Sequence, residues 1–331
     1  MPLWRNGRHK GLKILARKGV PVRVWPRAPL IFCMNIYDCT TYFDEPLMMD
    51  VRFNVLNDYV KKFVVVESVF SHRGAKKELN FDIKLYPKFK DKIKYLVLEK
   101  EPDNLSFDNN KNDDLIKRLN SIKRIEHQRN EALKGCLEAT EQDYIFYSDN
   151  DEIPKLNDIN FNSIKERFII FEQKLFHYKF NLFNGRIPWY GTKGAKKKNI
   201  KSITDLRNMK AKKYAFFRLD TLFSKTKFIS VRVIKNGGWH FTQLKSPEDL
   251  EKKFIHDENH NEYDKLDIGL NKIKDMIDRK VIEYDHLAKK SSANKHGHEF
   301  KLKPVQIEKN LPDYLVTNAE KFKKWFDFDF K

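Results

Sequence analysis

Strand-sized apolar runs, separated by segments of helical or loop character, constrain this chain more than any other feature. They are Met34–Tyr37, Phe63–Val66, Tyr95–Leu98 and Tyr144–Tyr147. Phe63-Val64-Val65-Val66 joins an aromatic to three valines, the composition of a strand buried on both faces. Leu47, Val51 and Val55 recur at i, i+4 and i+8, with Met48 and Leu56 beside them, which predicts an amphipathic helix over 45–58. A polar, Asn/Asp-rich loop over 99–112 precedes Leu115, Leu119, Ile122, Ile125, Leu133 and Leu137, which predict a long helix over 113–139. This order predicts an α/β sheet with crossover helices.

The second half has a different character. Phe176, Tyr178, Phe180 and Leu182 alternate, and Phe228, Ser230, Arg232 and Ile234 do so less cleanly. These predict antiparallel strands around a basic loop at 193–213. Ser246-Pro247-Glu248-Asp249 is a helix start: Ser as N-cap, Pro at the first position, acids in the first turn. Further helices are expected over 264–279 and 312–326. No internal repeat or linker divides the chain, so the expected partition is one mixed α/β domain over 34–331, with 246–331 as its helical C-terminal part.

Lys and Arg number 65 against 46 Asp and Glu, a net charge of +19, which invites a nucleic-acid or anionic-membrane reading. Residues 1–33 hold eight of these basic residues and no acid. They show no amphipathic period and no apolar stretch of a signal peptide. They resemble a transfer-RNA gene read as protein. Pro21-Val22-Arg23-Val24-Trp25 can be encoded by CCG GTT CGA GTC TGG, which contains a T-loop sequence. Trp4–Arg8 and Gly11–Leu15 can likewise be encoded by sequences resembling a D-arm and an anticodon arm. The expectation is therefore that Met34 is the true start and that 1–33 is a non-native, disordered leader. Without it the excess is +11. No nucleic-acid motif accompanies the charge, so no nucleic-acid partner is expected. The remaining excess suits a donor diphosphate, an acidic glycan or peripheral contact with an anionic membrane. No window approaches the ~18–20 uncharged apolar residues of a membrane span, and the mean hydropathy is −0.68. A cytoplasmic or peripheral-membrane location is expected. Cys33, Cys39 and Cys136 form neither a disulfide framework nor a zinc spacing.

Asp149-Asn150-Asp151-Glu152 stands where the fourth apolar run ends. In open α/β sheets the carboxyl ends of strands are where ligands bind. Carboxylates at i and i+2 on an extended or turning segment can face one side. Oxygen ligands of this kind suit Mg²⁺ or Mn²⁺, which can bridge a diphosphate. The alternative is an acidic turn capping a helix opened by Pro154. An EF-hand is excluded, because the loop lacks the required Gly and bidentate Glu.

The motifs together resemble glycosyltransferase family 17, the β-1,4-mannosyl-glycoprotein 4-β-N-acetylglucosaminyltransferase family. The resemblance starts at Met34 and runs to the C-terminus. It is carried by Ile36-Tyr37-Asp38, Phe43-Asp44-Glu45, Leu47 to Arg52, and Val64-Val65-Val66-Glu67-Ser68 with His72 and Gly74. It continues through His127-Gln128-Arg129-Asn130, Ser148 to Pro154, Gly237-Gly238-Trp239-His240-Phe241, His256-Asp257-Glu258 and the Leu311-Pro312 helix. Asn150 departs from the family's usual Val, and Asp44 from its Asn. The resemblance implies a GT-A-like fold, a UDP-sugar donor, most often UDP-N-acetylglucosamine, a glycan acceptor, inverting transfer and a divalent metal, Mn²⁺ before Mg²⁺. The acceptor is a glycoprotein, a lipid-linked glycan or a polysaccharide, and a bacterial or phage surface glycan is the alternative.

On that implication Asp151 is the direct metal ligand and Asp149 binds the metal or the donor ribose. His240 is a further ligand or a structural histidine. Asp38 and Glu67 end the first two buried strands and are expected to meet uracil and ribose hydroxyls. Glu45 acts similarly or as a first-turn acid. His127 and Arg129 precede the cluster on the long helix, with Arg129 placed to reach phosphate oxygens. Trp239 stacks on a sugar or packs in the core. Glu152 and Glu258 are the two candidates for the base that deprotonates the acceptor. Lys193, Lys196, Lys197, Lys198 and Lys201 form either a solvated loop or a lid over the donor.

Overall fold

The computed structural model describes residues 34–107, 113–212, 214–256, 269–284 and 298–328, together with 13–15 and 21–23. It divides into a unit up to Met34 and a unit from Asn35 onward. In the first, Lys13–Leu15 pairs antiparallel with Pro21–Arg23. The expectation of a non-native leader otherwise lies outside the described residues.

The second unit opens with β1 (Ile36–Tyr42), α1 (Pro46–Leu56), β2 (Lys62–Ser68), β3 (Ile93–Leu98), α2 (Asp113–Glu131) and β4 (Tyr144–Ser148). The four strands are parallel, in the order β4-β1-β2-β3. The chain steps outward from β1 to β3, and α2 then carries it back to the far side of β1. The strand order reverses at that point, which opens a crevice beyond the carboxyl ends of β1 and β4.

Both faces of this sheet are covered, which is why its strands read as continuous apolar runs. Tyr37, Cys39, Val64, Val66, Ile145 and Tyr147 face one cluster, closed by Ala132 and Cys136 after α2 and by Ile203 and Leu206. Their spacing of two residues within each strand is the pleat period. Around Phe53 of α1, the aromatics Phe63, Tyr86 and Phe89 pack with ring centroids 4.7, 5.0 and 5.6 Å away. The Sγ atoms of Cys39 and Cys136 lie 3.5 Å apart as buried free thiols.

The second half continues with β5 (Glu152–Pro154), β6 (Phe168–His177), β7 (Leu182–Phe183), β8 (Trp189–Lys196), α3 (Ile203–Arg207), β9 (Val231–Ile234), β10 (Gly238–Thr242) and α4 (Pro247–His256). β8 lies antiparallel between β4 and β6. This corrects the expected basic loop at 193–213, whose first residues are a buried strand. The alternation at 176–182 is not one strand either: β6 ends at His177, and Tyr178 turns the chain at φ 62°. Phe180 then enters the core against Phe241, Phe322 and Phe326. β9 runs parallel to β6 rather than antiparallel, because the chain between β8 and β9 returns it to the starting end of β6. β10 pairs parallel with β6 and antiparallel with β5.

Ser246 caps α4 as expected, its hydroxyl accepting from Asp249 N at 3.1 Å. After α4 come α5 (Leu270–Asp278), β11 (Val281–Ile282), β12 (Phe300–Lys301), β13 (Lys303–Pro304), α6 (Ile307–Asn310) and α7 (Asp313–Thr317). This part is therefore not purely helical: β11 pairs with β12, and β13 with β7. The helix expected over 312–326 stops at Thr317, so that Phe322 and Phe326 can wrap onto Phe180. α2 likewise stops at Glu131, with a tighter turn of helix to Cys136. No helix among the described residues is long and apolar enough to cross a membrane. The mixed α/β architecture, with its largely parallel central sheet, is compatible with a GT-A-like fold.

Candidate functional site

β4 delivers Asp149-Asn150-Asp151 into the crevice as a tight turn before β5. Asp149 accepts from Arg207 Nη2 at 2.5 Å, and from Arg129 Nη2 and Tyr147 OH at 3.4 Å each. Burial pushes its carboxyl up, but the Arg207 and Arg129 guanidiniums outweigh that and hold it well below the usual carboxylate range. Asp151 faces Nε2 of His240 at 3.3 Å. Burial raises this carboxyl too, and the fields of His240 and then Lys253 lower it below its ordinary value. Arg129 reaches the same turn from α2, with Nε 3.3 Å from the Tyr147 hydroxyl. His127, half-buried on the same helix, takes no part in these bonds.

Glu152 does not face the crevice. Its side chain has 0% exposure, and it accepts from Trp189 Nε1 at 2.7 Å, Arg207 Nη2 at 2.8 Å and Asp149 N at 3.1 Å. A carboxylate so enclosed cannot touch an acceptor hydroxyl, which argues against Glu152 as the base. Glu258 lies outside the described residues.

Two expected donor ligands, Asp38 and Glu67, are likewise turned inward, and a third, Glu45, is tied to its own turn at the edge of the crevice. Asp38 is 2% exposed and clamped by Arg52, with Nη2 at 2.6 Å from one oxygen and Nε at 2.7 Å from the other. Arg52 also donates to Glu152 O at 2.8 Å and Asp149 O at 3.4 Å, so it braces the carboxylate turn from below. Glu67 is fully buried and collects Lys77 Nζ, Asn80 N, Tyr95 OH and Phe81 N within 2.5 to 3.0 Å. It anchors the chain at 77–81 rather than reaching the crevice. Glu45 turns back to accept Asp44 N at 2.9 Å and Phe43 N at 3.2 Å. Its Oε2 also receives Asn150 Nδ2 at 2.6 Å, which ties the β1–α1 turn to the carboxylate turn.

Trp239 packs in the core, 8% exposed, with Nε1 donating to Asn310 O at 2.6 Å. The indole that meets the site is Trp189, whose ring lies 4.4 Å from that of His240. Gly238 lets β10 press onto β5: at φ +135°, a Cβ there would stand 2.1 Å from Ile153 O. The paired glycines therefore serve strand packing, and through it the placement of His240.

A cavity of about 170 Å³ opens beside Asp151, between Asp44–Met48 and Phe241–Ser246. Lys245 and Lys253 on its wall have their Nζ atoms 4.0 Å from Glu45 Oε1. Among the described residues, no group of three or more His, Cys, Asp or Glu stands in ligating geometry. Yet His240 Nδ1 is buried without a hydrogen-bond partner, next to a ring nitrogen that already meets Asp151. Asp151 and His240 thus stand as a pair beside the Asp149–arginine cluster, short of a preformed metal shell. Oxygen and imidazole donors of this kind suit Mg²⁺ or Mn²⁺ only where substrate phosphates supply the remaining ligands.

Lys193, expected on a loop or lid, is 6% exposed. Its Nζ donates to Arg207 O at 2.5 Å and Met209 O at 2.7 Å. Burial, then the Arg207 charge, pushes its amine down to about 7. It fixes the end of α3, which aims Arg207. Gly191 sits over this cluster; its carbonyl accepts Arg207 Nη1 at 2.9 Å, and a Cβ on it would come 2.8 Å from Glu152 Cδ.

Arg207, Arg52 and Trp189 were not singled out by chemistry in the sequence. Two signals were present. Ser202-Ile203-Thr204-Asp205 is a capping pattern, and Ser202 does accept from Asp205 N at 2.9 Å. Arg52 is a lone cation inside an apolar helix, which demands a buried partner.

The family described as Glycosyltransferase family 17 matches residues 25–216. The match begins upstream of Met34 and stops short of the later motifs. Curated proteins give no match. Among solved structures, HddC from Yersinia pseudotuberculosis is similar at 11% identity, covering 62% of this chain and 92% of that one, with a TM-score of 0.29. HddC complexed with GMP-PN gives 13%, 66%, 97% and 0.31. The inositol-1-phosphate CTP transferase from T. maritima gives 12%, 67%, 96% and 0.30.

Proposed function

The chain belongs to glycosyltransferase family 17, and from that premise we propose that it moves N-acetylglucosamine from UDP-N-acetylglucosamine to a glycan hydroxyl with inversion. The observation that carries this reading is the Asp149–Asp151 turn at the crevice between β1 and β4, flanked by Arg129 and Arg207. A transferase of this kind must hold a diphosphate and neutralise the charge that develops as it leaves. Arg129 and Arg207 are planar donors suited to phosphate oxygens. Lys245 and Lys253 add positive charge at the cavity beside Asp151.

Asp151, with Asp149 and His240, would hold a divalent cation, Mn²⁺ before Mg²⁺, which supplies Lewis-acid neutralisation of the diphosphate when bound. Trp189 replaces Trp239 as the aromatic offered to a sugar face. Because Glu152 has no exposed surface, Glu258 is the better candidate for the acceptor base. Glu152, Asp38 and Glu67 become positioning residues.

The test is UDP release by the full chain from UDP-N-acetylglucosamine, with Mn²⁺ and a panel of mannosides and surface glycans. UDP release that depends on acceptor is the expected result. Release only from another nucleotide sugar would replace the donor in this reading, and none from any would overturn it.

A further inference from the structure

The segment after α3 leaves a set of large apolar side chains in water. Phe216, Phe217, Leu219, Leu222 and Phe223 are 70% to 90% exposed. The rings of Phe216 and Phe217 meet edge-to-face at 5.5 Å and cover little of each other. Apolar groups gathered this way mark an interaction surface rather than chance exposure. The segment is also basic: Lys210 to Lys227 contains six Lys or Arg and one acid, Asp220. That acid is already neutralised by Arg218 at 2.7 Å and Lys227 at 2.9 Å. Lys210 N donates to Thr226 O at 2.9 Å, which closes the loop at its base.

We propose that residues 214–227 form a membrane-docking loop for an anionic lipid surface. Phe216, Phe217, Leu219, Leu222 and Phe223 enter the headgroup–acyl boundary, and Lys210, Lys212 and Lys225 meet the phosphates. Apolar side chains framed by lysine are the composition of interfacial segments, and each cation near an anionic surface adds attraction. The same charge disfavours a second copy as the occupant, since pairing two such loops would juxtapose like charges. The base of the loop is three residues from Arg207, so a docked loop holds α3, and with it the carboxylate turn, beside the bilayer. The proposal rests on exposure and charge and does not depend on the donor.

The full chain is to be sedimented with vesicles of phosphatidylcholine alone and of phosphatidylcholine with phosphatidylglycerol. The comparison is a Phe216→Ser/Phe217→Ser/Phe223→Ser variant, checked by sedimentation velocity and by its unfolding midpoint. Binding to the mixed vesicles is expected, weakened several-fold by high salt and by about tenfold or more in the variant. No vesicle binding, equal binding by the variant, or equal binding to neutral vesicles would overturn the proposal. So would a dimer that the three substitutions disperse while vesicle binding is absent.

Discussion

Arg207 Nη2 lies 2.5 Å from Oδ2 of Asp149, across 58 residues of sequence. The same nitrogen stands 2.8 Å from Glu152 Oε1. One guanidinium therefore couples the carboxylate that faces the crevice to the one sealed beneath it.

Arg207→Met removes that coupling and leaves Glu152 charged in the interior. Breaking a buried pair from one side costs about 3–5 kcal/mol. Urea unfolding is expected to show a loss of that order. A variant within about 1 kcal/mol of the parent would mean that Arg207 is not what balances Glu152.

Arg52 and Asp38 form a second enclosed pair, at 0% and 2% exposure. Arg52→Met and Asp38→Leu should each destabilise by several kcal/mol, and the double variant by less than their sum. A double-mutant cycle measures this. Additive losses would show that the two act independently.

Glu152→Gln separates a positioning carboxylate from a base. The amide keeps the shape but not the charge facing Arg207, so the unfolding midpoint should fall while the pH–rate profile keeps its form. Loss of the profile's acidic limb with unchanged stability would restore Glu152 as the base.

Asp151→Asn leaves the packing of β4 and β5 in place and removes a charge at the mouth of the crevice. Turnover should drop by about 10²–10³, because the carboxylate would hold the cation that neutralises the leaving diphosphate. Stability should fall only modestly, by the loss of the contact with His240, and less than for Arg207→Met. Parent-like turnover would remove Asp151 from the donor site.

Lys193 carries a pH signature. Its amine is lowered to about 7 in the fold, against about 10.4 in the unfolded chain. Between these values the unfolded chain holds a proton that the folded one has released, so stability from this group rises with pH. Below pH 7 the full penalty for a buried charge is present. Lys193→Met lacks this slope, and its stability relative to the parent should decline steadily from pH 7 to pH 10. Parallel curves for parent and variant would contradict the buried assignment.

The parallel half of the sheet was legible because strands buried on both faces write themselves as unbroken apolar runs. The carboxylate turn was legible because it interrupts one. β8 was not: its second half falls in the segment expected as a basic loop at 193–213, and its glycines and lysine are explained only by the side chains that they pass. Glu67 was placed correctly near a strand end, whereas β1 runs on to Tyr42 and leaves Asp38 near its start; both carboxylates turn inward to a cation. Nothing local reports that Arg52 or Lys77 will meet them. Trp239 takes the core position that was one of its two readings, and it is Trp189 that lies beside His240, since which indole faces the crevice is set by strand pairing.

Arg52 and Phe53 are neighbours on α1, one locked to Asp38 and the carboxylate turn, the other seated among Phe63, Tyr86 and Phe89. A chain that has packed Phe53 has already delivered Arg52. Assembly of the crevice and formation of the core should thus be one cooperative event, visible as a single unfolding transition whether followed by buried aromatics or by a probe at the crevice.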